Sequence, residues 1–94
     1  DTTTSQPNIR VNSSTSLNDI MNLGDVITVT LVTTAAAGGY SANLNIDGGG
    51  QTEEWNGGSA PSAGGSGGYD VYTHTIYRKV DGNWLVLSNV SNFT

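Results

Sequence analysis

The sequence predicts a small all-β domain, an antiparallel β-sandwich of jelly-roll type with six or seven short strands. Three observations carry that prediction. Short runs rich in Val, Ile, Thr and aromatic residues alternate with a period of two. Stretches rich in Gly, Asn, Ser and Asp punctuate those runs at close intervals. Only one short segment has helical spacing, and it is long enough for a single turn. A small β-barrel is the alternative, because strands and turns can be read from sequence but closure cannot.

Residues 1–7 are polar and end at Pro7, which reads as an N-terminal arm or linker ahead of one domain spanning residues 8–94. Residues 8–12 alternate Ile9 and Val11 with polar neighbours, a short first strand. Leu17, Ile20 and Met21 are spaced i, i+3, i+4, which predicts one helical turn ended by Gly24. Residues 25–34 form the strongest strand, with Ile27, Val29 and Leu31 on one face. Val26, Thr28, Thr30 and Val32 fall on the other face, which is expected to be partly covered too. Residues 35–39 form a loop, and residues 40–46 alternate Ala42, Leu44 and Ile46 inward. Residues 47–50 turn the chain into a short strand over residues 52–55.

Residues 56–68 carry no large apolar side chain and read as a long loop, a class that is often mobile or functional. A long strand follows over residues 69–80, with Tyr72, His74 and Ile76 on one face. Asp81-Gly82 between two strand patterns predicts a hairpin. Its partner strand runs over residues 84–88, and Val90 and Phe93 in the tail are expected to dock on the core.

Composition bounds what such a domain can do. Hydrophobic residues make up 35% and charged residues 12% of the 94, both below ordinary globular shares. The core is therefore thin, and with no cysteine to staple it, oligomerisation is the expected source of further stability. The chain has three basic residues against eight acids, a net charge of −5. That balance argues against nucleic acid and anionic membranes as partners, and no apolar stretch is long enough to span a bilayer. Beginning at Asp1, the chain is expected to be processed or part of a longer protein.

Catalytic arrangements lack needed parts. The one histidine, His74, alternates with Tyr72 and Ile76 and reads as a packed side chain. Glu53 and Glu54 are adjacent in a strand and point to opposite faces, so they cannot act as an acid/base pair. Asp19, Asp25, Asp47, Asp70 and Asp81 sit beside turns or strand starts, where aspartate bonds nearby backbone. Metal binding by Asp47 with Glu53 or Asp70 is the remaining arrangement of carboxylates. No glycine cluster carries the lysine of a phosphate loop. Sequons occur at Asn12, Asn89 and Asn92, close to the chance number in so Asn- and Ser-rich a chain. No catalytic residue, metal or cofactor is expected. Trp55, Tyr40, Tyr69 and Tyr72 are the candidate aromatics for a glycan or a subunit interface.

Four segments occur in a telling order: SSTSLNDIMNLGDVITVTLV from residue 13, YSANLNIDG from residue 40, WNGGSAPS from residue 55, and YDVYTHTIYRKVDGNWLVLSNVSNFT from residue 69. Together they resemble a C-terminal β-module of virion structural and tail-fibre proteins of tailed bacteriophages, particularly marine, cyanophage-type ones. The resemblance covers about residues 13–94. It implies a non-enzymatic building block at the virion surface, in a tail fibre or as capsid or tail decoration, with a part in host-surface attachment. It implies a homo-oligomer, a trimer favoured, in contact with other virion proteins, while a host-surface glycan is a further candidate partner resting on the aromatics above. It brings no catalytic residues, and an aromatic usually fills the position of His74. The alternatives are a subunit of a secreted cell-surface filament or pilus, with residues 1–7 donated to a neighbour, and a small glycan-binding module.

Overall fold

The computed structural model describes residues 6–80 and 83–94. Most of the polar arm, residues 1–5, and the turn expected at Asp81-Gly82 lie outside the described residues. The fold is all-β with one helical turn: β1 (Asn8–Ile9), α1 (Leu17–Ile20), β2 (Val26–Thr34), β3 (Asn45–Ile46), β4 (Gly49–Gly50), β5 (Glu53–Trp55), β6 (Tyr69–Val80) and β7 (Asn83–Phe93). They form two sheets, one ordered β1-β3-β4 and one ordered β2-β6-β7-β5. Neither closes into a barrel.

Two strand pairs depart from the expected antiparallel pattern. β1 runs parallel to β3, and β5 runs parallel to β7. Parallel neighbours need a long crossover, and the chain supplies both, through residues 10–44 and residues 56–82. The remaining pairs are antiparallel. In the small sheet, Ile46 pairs with Gly49 across a two-residue turn. Asp47 (φ 52°) and Gly48 (φ 82°) both lie in the left-handed region, as a type I′ hairpin turn requires. The expected four-residue turn is thus two residues, and the following glycines form β4.

Asp47 also ties this hairpin to α1. Its Oδ1 accepts from the Leu17 N–H at 2.6 Å and its Oδ2 from the Asn18 N–H at 2.9 Å. The Ser16 hydroxyl accepts from the Asp19 N–H at 3.1 Å, capping the same turn. Leu17 and Met21 then face inward, while Ile20 is 57% exposed. One turn can aim two of its three apolar residues at the core, so the third is left on the surface.

Leu17, Met21, Leu44, Ile46, Ile76 and Val86 form the buried core, with Ile9, Ile27, Val29 and Trp84 packed against it. Both sheets and α1 contribute, which makes the arrangement a sandwich. The strand expected over residues 40–46 shortens to Asn45–Ile46, yet Leu44 and Ile46 still point inward as their alternation predicts. In β6 the burial alternates along the strand, with Asp70, Tyr72, His74 and Ile76 buried. β7 runs on through the tail to Phe93. Phe93 pairs with Tyr69, so it falls on the outer face and is 60% exposed rather than docked.

Candidate interaction surface

The four candidate aromatics do not come together. Tyr72 is fully buried, and its phenol oxygen accepts from the Ser41 N–H at 3.0 Å. It is a core tether and cannot serve as a sugar platform. Trp55 lies on the inner face, opposite Ser88, with its ring edge-on to His74 at 6.0 Å. Tyr69 is exposed on the outer face at the start of β6. Tyr40 is half-buried in the connection from β2 to β3. Strand parity separates Tyr69 from Tyr72, because residues three apart in a strand occupy opposite faces.

The carboxylates are engaged singly. Asp47 holds α1, and Glu53 Oε1 accepts from the Leu44 N–H at 2.6 Å. Asp70 is buried, accepting from the Gly65 N–H and from Asn92 Nδ2, each at 2.9 Å. The sequence left open a shared metal site for these acids. Among the described residues no group of three or more His, Asp or Glu side chains is placed to hold a metal ion.

Asp70 and Asn92 also pin the Gly-rich segment. Asn92 Nδ2 donates to the Gly67 carbonyl at 2.9 Å as well, and the Gly64 N–H donates to the Ala37 carbonyl at 3.1 Å. Residues 64–68 therefore lie against the body of the domain. The Asn92 amide is committed to these contacts, whereas Asn89 is exposed on the outer face.

His74 is buried, its Nδ1 sharing a hydrogen with Ser88 Oγ at 2.7 Å. Its Nε2 is buried without a partner among the described residues. Burial pushes the imidazole below its ordinary value of 6.5. The unfolded chain therefore binds more protons than the folded one as pH falls past about 6.5. Stability from the neutral imidazole is complete above that pH and is lost as pH falls through the lower folded value. Urea midpoints measured from pH 7.5 to 5 are expected to fall below about pH 6.5, and His74→Phe is expected to flatten that part of the curve. An unchanged profile in the variant would remove His74 as the cause.

The broadest candidate surface is the outer face of the four-stranded sheet. Register places Val26, Thr28, Thr30, Val32 and Thr34 of β2 on it, beside Tyr69, Val71, Thr73, Thr75 and Tyr77 of β6. Leu85, Leu87, Asn89, Ser91 and Phe93 of β7 continue it. Val32 is 59% exposed and Tyr69 56%, so the cover expected over β2 is not present among the described residues. The small sheet takes the opposite face, and a thin core has nothing further to lay here. Glu54, opposite Leu87 on β5, is the one charged side chain among these paired positions. It borders a shallow hollow of about 410 Å³ with Thr73, Thr75, Leu87 and Asn89. The apolar residues on both faces of β2 were the sequence signal for this surface.

β2 is also an edge strand, since among the described residues only β6 pairs with it. The Arg78 N–H donates to the Asp25 carbonyl, and the Ala35 N–H to the Gly68 carbonyl. Odd-numbered β2 residues therefore direct their backbone groups to β6, and even-numbered ones direct theirs to the open side. Comparison with protein-family models, curated proteins and solved structures finds no match for this chain.

Proposed function

We propose that this chain is a non-enzymatic structural module of a phage particle, in a tail fibre or as capsid or tail decoration, with a part in host-surface attachment. The observation that carries the reading is the exposed outer sheet face, whose paired positions hold one charged side chain, Glu54 at the β5 margin, on a chain of net charge −5. Acidic copies repel one another wherever their charges meet, and this face is where they meet least. Strand rise and spacing give it roughly 30 by 20 Å, about 600 Å² per copy. Two such faces together reach the low end of specific protein interfaces. The ordered segments over residues 13–94, with their likeness to tailed-phage structural modules, support the setting. Mass spectrometry and labelled imaging of purified particles test it. Stoichiometric presence at a repeated position is expected, and absence from particles overturns the reading.

Trp55 favours a second role within the same module. It borders both the outer hollow and a second one of about 310 Å³, shared with Asn43, Gln51, Glu53 and Gly58. Trp55 is only partly buried although its ring meets His74, and an indole edge reaching these hollows would suit the apolar face of a sugar. Attachment to a host-surface glycan is then expected to weaken at least tenfold in Trp55→Ala, measured on a glycan array. Undiminished binding would exclude this site.

A further inference from the structure

We infer that the open edge of β2 pairs antiparallel with the same edge of a second copy, across a two-fold axis at Thr30, joining two four-stranded sheets into one of eight. Such an edge does not depend on where the chain sits in a particle; it uses the main-chain groups of the same five β2 residues whose side chains lie on the outer face.

Four observations support a second copy as the occupant. The first is that the edge is unprotected. Natural edge strands are blunted by lysine, proline, bulges or short length. β2 is nine residues of VITVTLVTT with none of these devices, in unbroken register with β6. The outward N–H and C=O groups of Val26, Thr28, Thr30, Val32 and Thr34 meet no other group among the described residues.

The second is self-complementarity. Only even-numbered residues face outward, so a partner strand must meet them with residues of the same parity. Centring on Thr30 sets Thr30 against its own copy, Thr28 against Val32 and Val26 against Thr34. All five outward residues are then in hydrogen-bonded pairs, giving about ten backbone hydrogen bonds, the number typical of a protein interface. A shift by two residues leaves one pair unmade. The inward-facing residues follow, because Val29 meets the partner's Leu31 and extends each core to the seam.

The third is charge. A strand with no ionised side chain can approach its own copy although each chain is acidic overall. The fourth is area. A seam about 30 Å long, with side chains from both faces roughly 15 Å deep, buries on the order of 900 Å² in total. That lies just under the specific range and predicts micromolar association rather than a permanent dimer.

Sedimentation velocity on the full chain from about 1 μM to 1 mM tests this. A monomer–dimer equilibrium is expected for the wild type. Thr30→Pro removes an outward N–H and leaves the β2–β6 ladder intact, so it is expected to raise the dissociation constant at least tenfold with an unchanged circular dichroism spectrum. Should that variant misfold, the charge pairs decide. T28K/V32K places like charges opposite each other and is expected to abolish the dimer. T28K/V32E places opposite charges there and is expected to keep or tighten it. A wild-type monomer at 1 mM, a trimer at all concentrations, or equal behaviour of the two charge variants overturns the pairing. Deleting residues 1–7 is expected to leave the dimer intact, and loss of it would assign the edge to a donated arm instead. Particle mass spectrometry reads the virion proposal separately, so the two can fail independently.

Discussion

Gly64→Ala is expected to lower the stability of the domain by about 3 kcal/mol, near the top of the range for overpacking. The reason is contact with main chain on the opposing loop. A Cβ on Gly64 would overlap the Ala36 carbonyl oxygen and stand 2.8 Å from that of Gly39. Both oxygens belong to one tight turn, closed by the Gly39 N–H donating to the Ala36 carbonyl at 2.9 Å. A side chain could rotate away, but these carbonyls can move only with the turn. The Gly64 N–H bond to Ala37 would be lost in the same displacement. A domain of this length holds roughly 5–14 kcal/mol in all, so a large share would go. Urea denaturation compares Gly64→Ala with Ser66→Ala, an exposed neighbour expected to stay within about 0.5 kcal/mol of wild type. Equal midpoints for the two would show that residues 64–68 do not rest on the turn.

This glycine shows where sequence reading stops. A run of Gly, Ser and Ala has no period, so it resembles a mobile loop. Its glycines instead allow two stretches of main chain to approach closely, and that depends on what lies opposite in space. By contrast, β6 occupies the residues its pattern predicts, 69–80, and its buried side chains are the alternating ones. Period two reports a face, and faces were legible in β2, β6 and around Leu44 and Ile46. It does not report which face the second sheet will cover. Val26 and Val32 therefore read as partly covered and Phe93 as docked on the core, yet all three lie exposed on the outer face. The parallel partners of β1 and β5 were hidden for a related reason, since two- and three-residue strands carry too few positions to fix direction.

The same limit separates the candidate site from its residues. Aromatic type marked Trp55, Tyr40, Tyr69 and Tyr72, but the outer face and the open edge belong to threonines and valines that carry no chemical signature. Their meaning comes from register: five outward backbone positions sharing one parity, and a sheet face with a single acid at its margin. An interface of this sort is built from geometry and the absence of charge, and neither is visible until the strands are paired.

Tyr72 gives the second large expected effect, and it separates a packing role from a recognition role. Tyr72→Ala removes a fully buried ring between Leu31 and Val90 in register, and large aromatic truncations cost about 3–5 kcal/mol. Tyr72→Phe keeps the ring and removes the acceptor for the buried Ser41 N–H, at a cost of about 1–3 kcal/mol. Burial raises the phenol above its ordinary value of 10.0, the Ser41 N–H opposes that rise, and the nearby Asp70 charge adds to it. The unfolded phenol therefore ionises first as pH climbs. Stability is complete below about pH 10 and declines as pH rises towards the folded value. Thermal melts from pH 8 to 11 are expected to show that decline in the wild type and less of it in Tyr72→Phe. Glycan binding by folded Tyr72→Phe should equal wild type, because a ring held in the core touches no ligand. Loss of binding with unchanged stability would return Tyr72 to the surface site and undo its assignment as a tether.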